Sequence, residues 1–79
     1  MVLINEKIKQ DLILLGLNIK KLREARNLTL KDVSLKTGIR VQYLKKIENG
    51  TAYGVKIEKH LYKISKALSI NFAEMFNFK

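Results

Sequence analysis

Apolar residues along this chain recur at helical spacing rather than in the alternation of a strand. Ile4, Ile8, Leu12, Leu15, Ile19 and Leu22 stand three or four positions apart and mark one continuous stripe. Asn5 suits the N-cap of such a helix, with Glu6 in the first turn, where the helix dipole favours an acid. Gly16 interrupts the segment and weakens a helix interior by ~1 kcal/mol relative to Ala. Two descriptions fit: one helix over about 6–26, or an arm over 1–11 followed by a helix from about 12. Asn27 is a residue that ends helices in the left-handed conformation.

Thr29 is a suitable N-cap for a second helix reaching Thr37, and Gly38 supplies a tight turn. The third helix, about 40 to 48, turns Leu44 and Ile47 inward and Gln42, Lys45, Lys46 and Asn49 outward, and Asn49-Gly50 closes it. After a loop at 51–55, Ile57, Leu61, Ile64 and Leu68 mark the inner face of a fourth helix, with Lys56, Lys59, Lys63 and Lys66 on its solvated side. Asn71 with Glu74 three residues on starts a last short helix bearing Phe72, Met75 and Phe76. With no proline and four glycines, the class is all-α.

Composition narrows the function. Seventy-nine residues make one domain, divided here into 1–11, the arm or helix extension, and 12–79, the folded body. Sixteen Lys and Arg against seven Asp and Glu give a net charge of +9, which favours a polyanionic partner, nucleic acid first. The apolar run from Leu12 to Leu17 is far short of the ~20 residues that cross a bilayer, and no signal peptide is evident. The absence of cysteine fits a cytoplasmic protein better than a small secreted one. His60, alone and without Cys or clustered carboxylates, makes no metal site and reads as a helix surface or boundary residue. The acids are scattered singly, and neither a nucleophilic triad nor a phosphate-cradling glycine loop exists, so no enzyme, cofactor or small-molecule substrate is expected. Ile4, Leu14, Leu17, Phe72, Met75, Phe76 and Phe78 exceed what one small core needs, which makes Phe72, Met75, Phe76 and Phe78 candidates for a dimer interface.

The landmarks Leu22-Arg23-Glu24-Ala25-Arg26-Asn27-Leu28-Thr29, Gly38-Ile39, Ile47-Glu48-Asn49-Gly50 and Ile64-Ser65-Lys66-Ala67-Leu68, in that order, resemble the Cro/C1-type (XRE-like) helix-turn-helix domains of bacterial and phage regulators. The resemblance covers roughly residues 15 to 76. It implies a compact five-helix bundle of the lambda repressor-like kind, binding double-stranded DNA sequence-specifically as a homodimer on a pseudo-palindromic operator. By position, Val41, Gln42 and Lys46 would face base edges, with Arg40 and Lys45 at the flanks. Thr29, Asn49, Gly50, Thr51 and Tyr53 would meet phosphates, their amides and hydroxyls suiting oxygens that position without reading sequence. Arg23 would pair with Glu48 as a structural tie. The chain departs from the family pattern at Leu30, at Arg40 and in the loop after Gly50, which is about two residues long in excess. Leu30 with Ile39-Arg40-Val41-Gln42-Tyr43-Leu44 also looks like the docking domain of RodZ, which binds an actin-like filament. That alternative implies an apolar or mixed patch around Arg40, Tyr43 and Leu44 in place of a continuous positive stripe. A restriction–modification controller or an antitoxin would be a special case of the regulator.

Overall fold

The first apolar stripe forms one uninterrupted helix, α1 (Glu6–Ala25). In the computed structural model, which describes residues 5–78, the Asn5 side chain caps it by accepting the Ile8 N–H at 2.9 Å. Residues 6–11 are thus the first turns of α1, and Ile4 lies outside the described residues. Asn27, at φ 55°, reverses the chain. α2 (Leu30–Thr37) then opens with a reciprocal cap: the Thr29 hydroxyl accepts the Asp32 N–H at 3.0 Å while the Asp32 carboxylate accepts the Thr29 N–H at 2.8 Å. Those bonds from Thr29 hold the Asp32 carboxyl below its ordinary range.

Gly38, at φ 77°, makes the turn into α3 (Val41–Glu48), its N–H donating to Ser34 O at 2.8 Å. Thr37 completes the turn internally: its hydroxyl donates to Val33 O at 2.8 Å and accepts the Ile39 N–H at 3.1 Å. Val33, Leu44 and Ile47 from this pair of helices pack against Leu15 and Ile19 of α1. The crossing of α1 on α3 explains Gly16. A methyl group there would overlap the Ile47 carbonyl oxygen and lie 2.5 Å from that of Glu48. The glycine is therefore a close-approach residue, and its weak helix propensity is offset by packing.

α4 (Tyr62–Ala67) is entered through a π-helical turn, Ile57–Leu61. The wider winding rotates Ile57 out of the inward face, so that it is 61% exposed, whereas Leu61, Ile64 and Leu68 are buried as the spacing predicts. Ile57 is thus a correction to the expected stripe. The fifth expected helix is a 3-10 turn, Phe72–Phe76, so the bundle has four helices rather than five among the described residues. Five residues are too few for a sustained α-ladder, and the turn closes instead by Glu74 N–H donating to Asn71 O at 2.9 Å. The Glu74 carboxylate accepts the Asn71 N–H at 3.0 Å, as a capping-box start requires. Asn18 of α1 fastens this turn, its amide donating to Glu74 O at 2.9 Å and Met75 O at 2.8 Å.

That clasp drives Met75 into the core, where it is wholly buried beside Ile64 and Leu68. Met75 therefore has no surface to offer a second copy, a further correction. Phe76 is 40% exposed, and Phe72 and Phe78 are half-buried. Among the described residues no helix is long and apolar enough to cross a membrane.

Candidate nucleic-acid interface

α3 has two chemically opposed faces. Leu44, Ile47 and Glu48 are buried, while Arg40, Gln42, Lys45, Lys46 and Asn49 are turned outward. The helix keeps this pose through its last turn. Arg23 Nε donates to Glu48 Oε2 at 2.7 Å and Nη2 to Oε1 at 3.1 Å, and Nη1 donates to Leu28 O at 2.7 Å. One guanidinium thereby joins α1, the α1–α2 turn and the end of α3, with both charged partners buried. The bond to Glu48 raises the Arg23 pKa further above its already high value.

The start of α3 is built differently. Arg40 occupies the N-cap with extended backbone; its guanidinium has donors only and cannot cap the helix, and the side chain is exposed. Arg40, Gln42, Tyr43 and Lys46 line a shallow recess of about 240 Å³. Val41 is half-buried at the margin of this face. Tyr43 is half-buried with its ring against His60, centroids 4.7 Å apart, and Leu44 is in the core. Of the patch expected of a filament-docking module, Arg40 and Tyr43 share this recess on the surface, while Leu44 is withdrawn into the core.

The segment after α3 meets fewer of the expectations. Asn49, Gly50 and Thr51 amides donate to the carbonyls of Lys45, Ile47 and Lys46 at 2.9, 3.1 and 2.9 Å, so none is left for a phosphate. Gly50, at φ 77°, is buried, and a Cβ on it would lie 2.6 Å from Ile13 Cα. Gly50 is thus a correction: it lets α1 cross the turn and presents nothing outward. The Asn49 side chain and the half-exposed Tyr53 ring remain on the surface, as does the Thr51 hydroxyl, whose proton goes to Lys46 O in a long 3.4 Å bond that a phosphate oxygen can displace. Thr29 is exposed, but its N–H is committed to Asp32 and its hydroxyl is already engaged with the same residue.

His60 is the residue whose role the sequence did not disclose. Its Nδ1 accepts the Lys56 N–H at 2.9 Å, reaching back from inside the helix to the N-cap residue much as the acid of a capping box does. Burial first, then the nearby Lys59, Lys56 and Lys63 charges, hold its pKa below the ordinary histidine value. Neutral imidazole with Nδ1 as acceptor carries its proton on Nε2.

The fold and this cationic, outward-turned second helix of a helix-turn-helix define the class of protein. The helix-turn-helix family model matches residues 19–75, and the chain belongs to that family, in its Cro/C1 (XRE) branch. It is similar to the crystal structure of the restriction-modification controller protein C.AhdI from Aeromonas hydrophila, with a TM-score of 0.80 and 27% identity over 85% of this chain and 98% of that one. No curated protein sequence matches it.

Proposed function

We propose that this protein is a DNA-binding transcriptional regulator that lays α3 in the major groove and reads sequence there. The observation that carries the reading is the division of α3, with Leu44 and Ile47 anchored inward and Gln42, Lys45 and Lys46 turned outward together. A Gln42 amide matches N6 and N7 of adenine, and a Lys46 ammonium matches O6 and N7 of guanine, each discriminating by about 1–3 kcal/mol. In this reading Val41 meets a thymine methyl, and Arg40 and Lys45 flank the read bases. Asn49, Thr51 and Tyr53 supply phosphate contacts through side chains alone.

The reading includes a homodimer, which places two copies of α3 in successive major grooves ~34 Å apart. The surface that suits it is the edge where Tyr62, Phe72 and Phe76 stack, ring centroids 6.3 and 5.1 Å apart, beside the exposed Ile57. Likeness to a restriction-modification controller supports a small promoter-occupying regulator of such a system.

Selection from a random duplex library, followed by salt titration of the winner, tests this. The winning site is expected to bind roughly 10³-fold or more above random duplex at physiological salt. Equal affinity for both rejects the proposal. Lys46→Ala should relax preference at one base pair, and Thr51→Ala should weaken every sequence alike. Uniform losses in both variants would overturn the residue assignment.

A further inference from the structure

We infer that the recess between α3 and the start of α4, walled by Arg40, Tyr43, Lys59, His60 and Lys63, is a second docking point for DNA that takes backbone phosphate beside the groove α3 enters. The inference rests on the DNA-binding reading above and adds a site on an element that reading does not use. The recess is an open depression of about 390 Å³ beside Gly38, ample for a phosphodiester group. Three of its walls are cations and none of its lining residues is acidic. Among the described residues the ion pairs are Lys7 with Asp11 and Arg23 with Glu48, so Arg40, Lys59 and Lys63 are neutralised by no protein carboxylate.

Crowding of like charge is unfavourable until a counter-charge arrives, and a polyanion supplies one at the release of its own counterions. The His60 imidazole in the wall is held toward its neutral form first by burial and then by the Lys59, Lys56 and Lys63 charges. Its Nδ1 is committed to the Lys56 N–H, which leaves Nε2–H as a neutral donor in the wall. Arg40 joins the two surfaces: it lines both this recess and the shallow one over Gln42 and Lys46. A strand following α3 therefore meets Arg40 first and Lys59 and Lys63 next. The stack of Tyr43 on His60 couples the pose of the reading helix to this phosphate clamp.

The test is the salt dependence of binding to a random duplex, for wild type and for Lys59→Gln/Lys63→Gln. Every phosphate that no longer finds its lysine should lower the slope of log K against log salt by about 0.9, while the ratio of selected to random affinity stays as in wild type. Lys66→Gln removes the same charge from α4 outside the recess and should leave the slope unchanged. A slope unaltered in the double variant, or lowered as much per lysine by Lys66→Gln, overturns the inference. In parallel, the His60 ring resonances should shift when duplex is added to wild type and stay in place in the double variant; no shift in wild type also overturns it. Failure of sequence reading would show separately, as a wild type that cannot choose a site while its slope still depends on Lys59 and Lys63.

Discussion

At its C-terminal end α3 meets α1 with no slack. Gly16 admits the Ile47 and Glu48 carbonyls against the α1 backbone, Gly50 lies under Ile13, and Arg23 grips Glu48 with two hydrogen bonds. At its N-terminal end the same helix meets α4 across an open, cationic recess, held by one aromatic contact between Tyr43 and His60. The difference separates two tasks. One end fixes where the helix points through buried bonds that tolerate little change. The other leaves cations unneutralised, and such groups suit a ligand that arrives from solvent.

This contrast is most open to attack at the tight end. Glu48→Ala strands the buried Arg23 guanidinium and should cost about 3–5 kcal/mol, measured by denaturant unfolding. A loss under about 1 kcal/mol would mean the pair is not what secures α3. Gly16→Ala should cost about 1–3 kcal/mol, because overlap with two carbonyls outweighs the ~1 kcal/mol that Ala gains in helix propensity. A more stable variant would show that the two helices part readily. Thr29→Ala, which opens the cap of α2 away from both ends, should cost about 1 kcal/mol.

The loose end should answer to pH. His60 titrates below its ordinary value in the folded chain because of burial and the Lys59, Lys56 and Lys63 charges, with Arg40 and Tyr43 facing it from α3. The unfolded chain therefore takes up the proton first. The His60 contribution is complete above the unfolded value of 6.5 and is lost as pH falls through the lower folded value. Melting temperature should decline between about pH 7.5 and 5 in wild type and decline less in His60→Gln. Identical profiles would remove His60 from the seam. Asp32 acts in a separate window, since its stabilising bonds from Thr29 are lost only as pH falls below its ordinary value of 3.8.

What the sequence discloses and what it withholds divide along the same line. Local chemistry is legible: Asn5, Thr29, Gly38 and Asn27 each act through neighbours a few residues away, and α1, α2 and α3 start and stop where those residues direct. The division of α3 into an apolar and a cationic face follows from a 3.6-residue period alone. Features that depend on distant partners are not legible. Gly16 reads as a flaw in a helix until α3 lies across it, and Met75 reads as surplus until Asn18 fastens the turn that carries it inward. Ile57 leaves its expected place because an α-helical period does not anticipate a π turn. Gly50 illustrates the same limit, since its amide and its position beneath α1 are both committed by contacts outside the loop.

The Asn18 clasp also orders events in time. It joins α1 to a residue 57 positions further along the chain, and the hydrophobic centre stays unfilled until Met75 is there to plug it. During synthesis the earlier helices must wait, with Ile64 and Leu68 lacking their last neighbour, until that methionine has left the ribosome. Cooperative folding of this bundle is accordingly an event that follows translation of the turn carrying Met75.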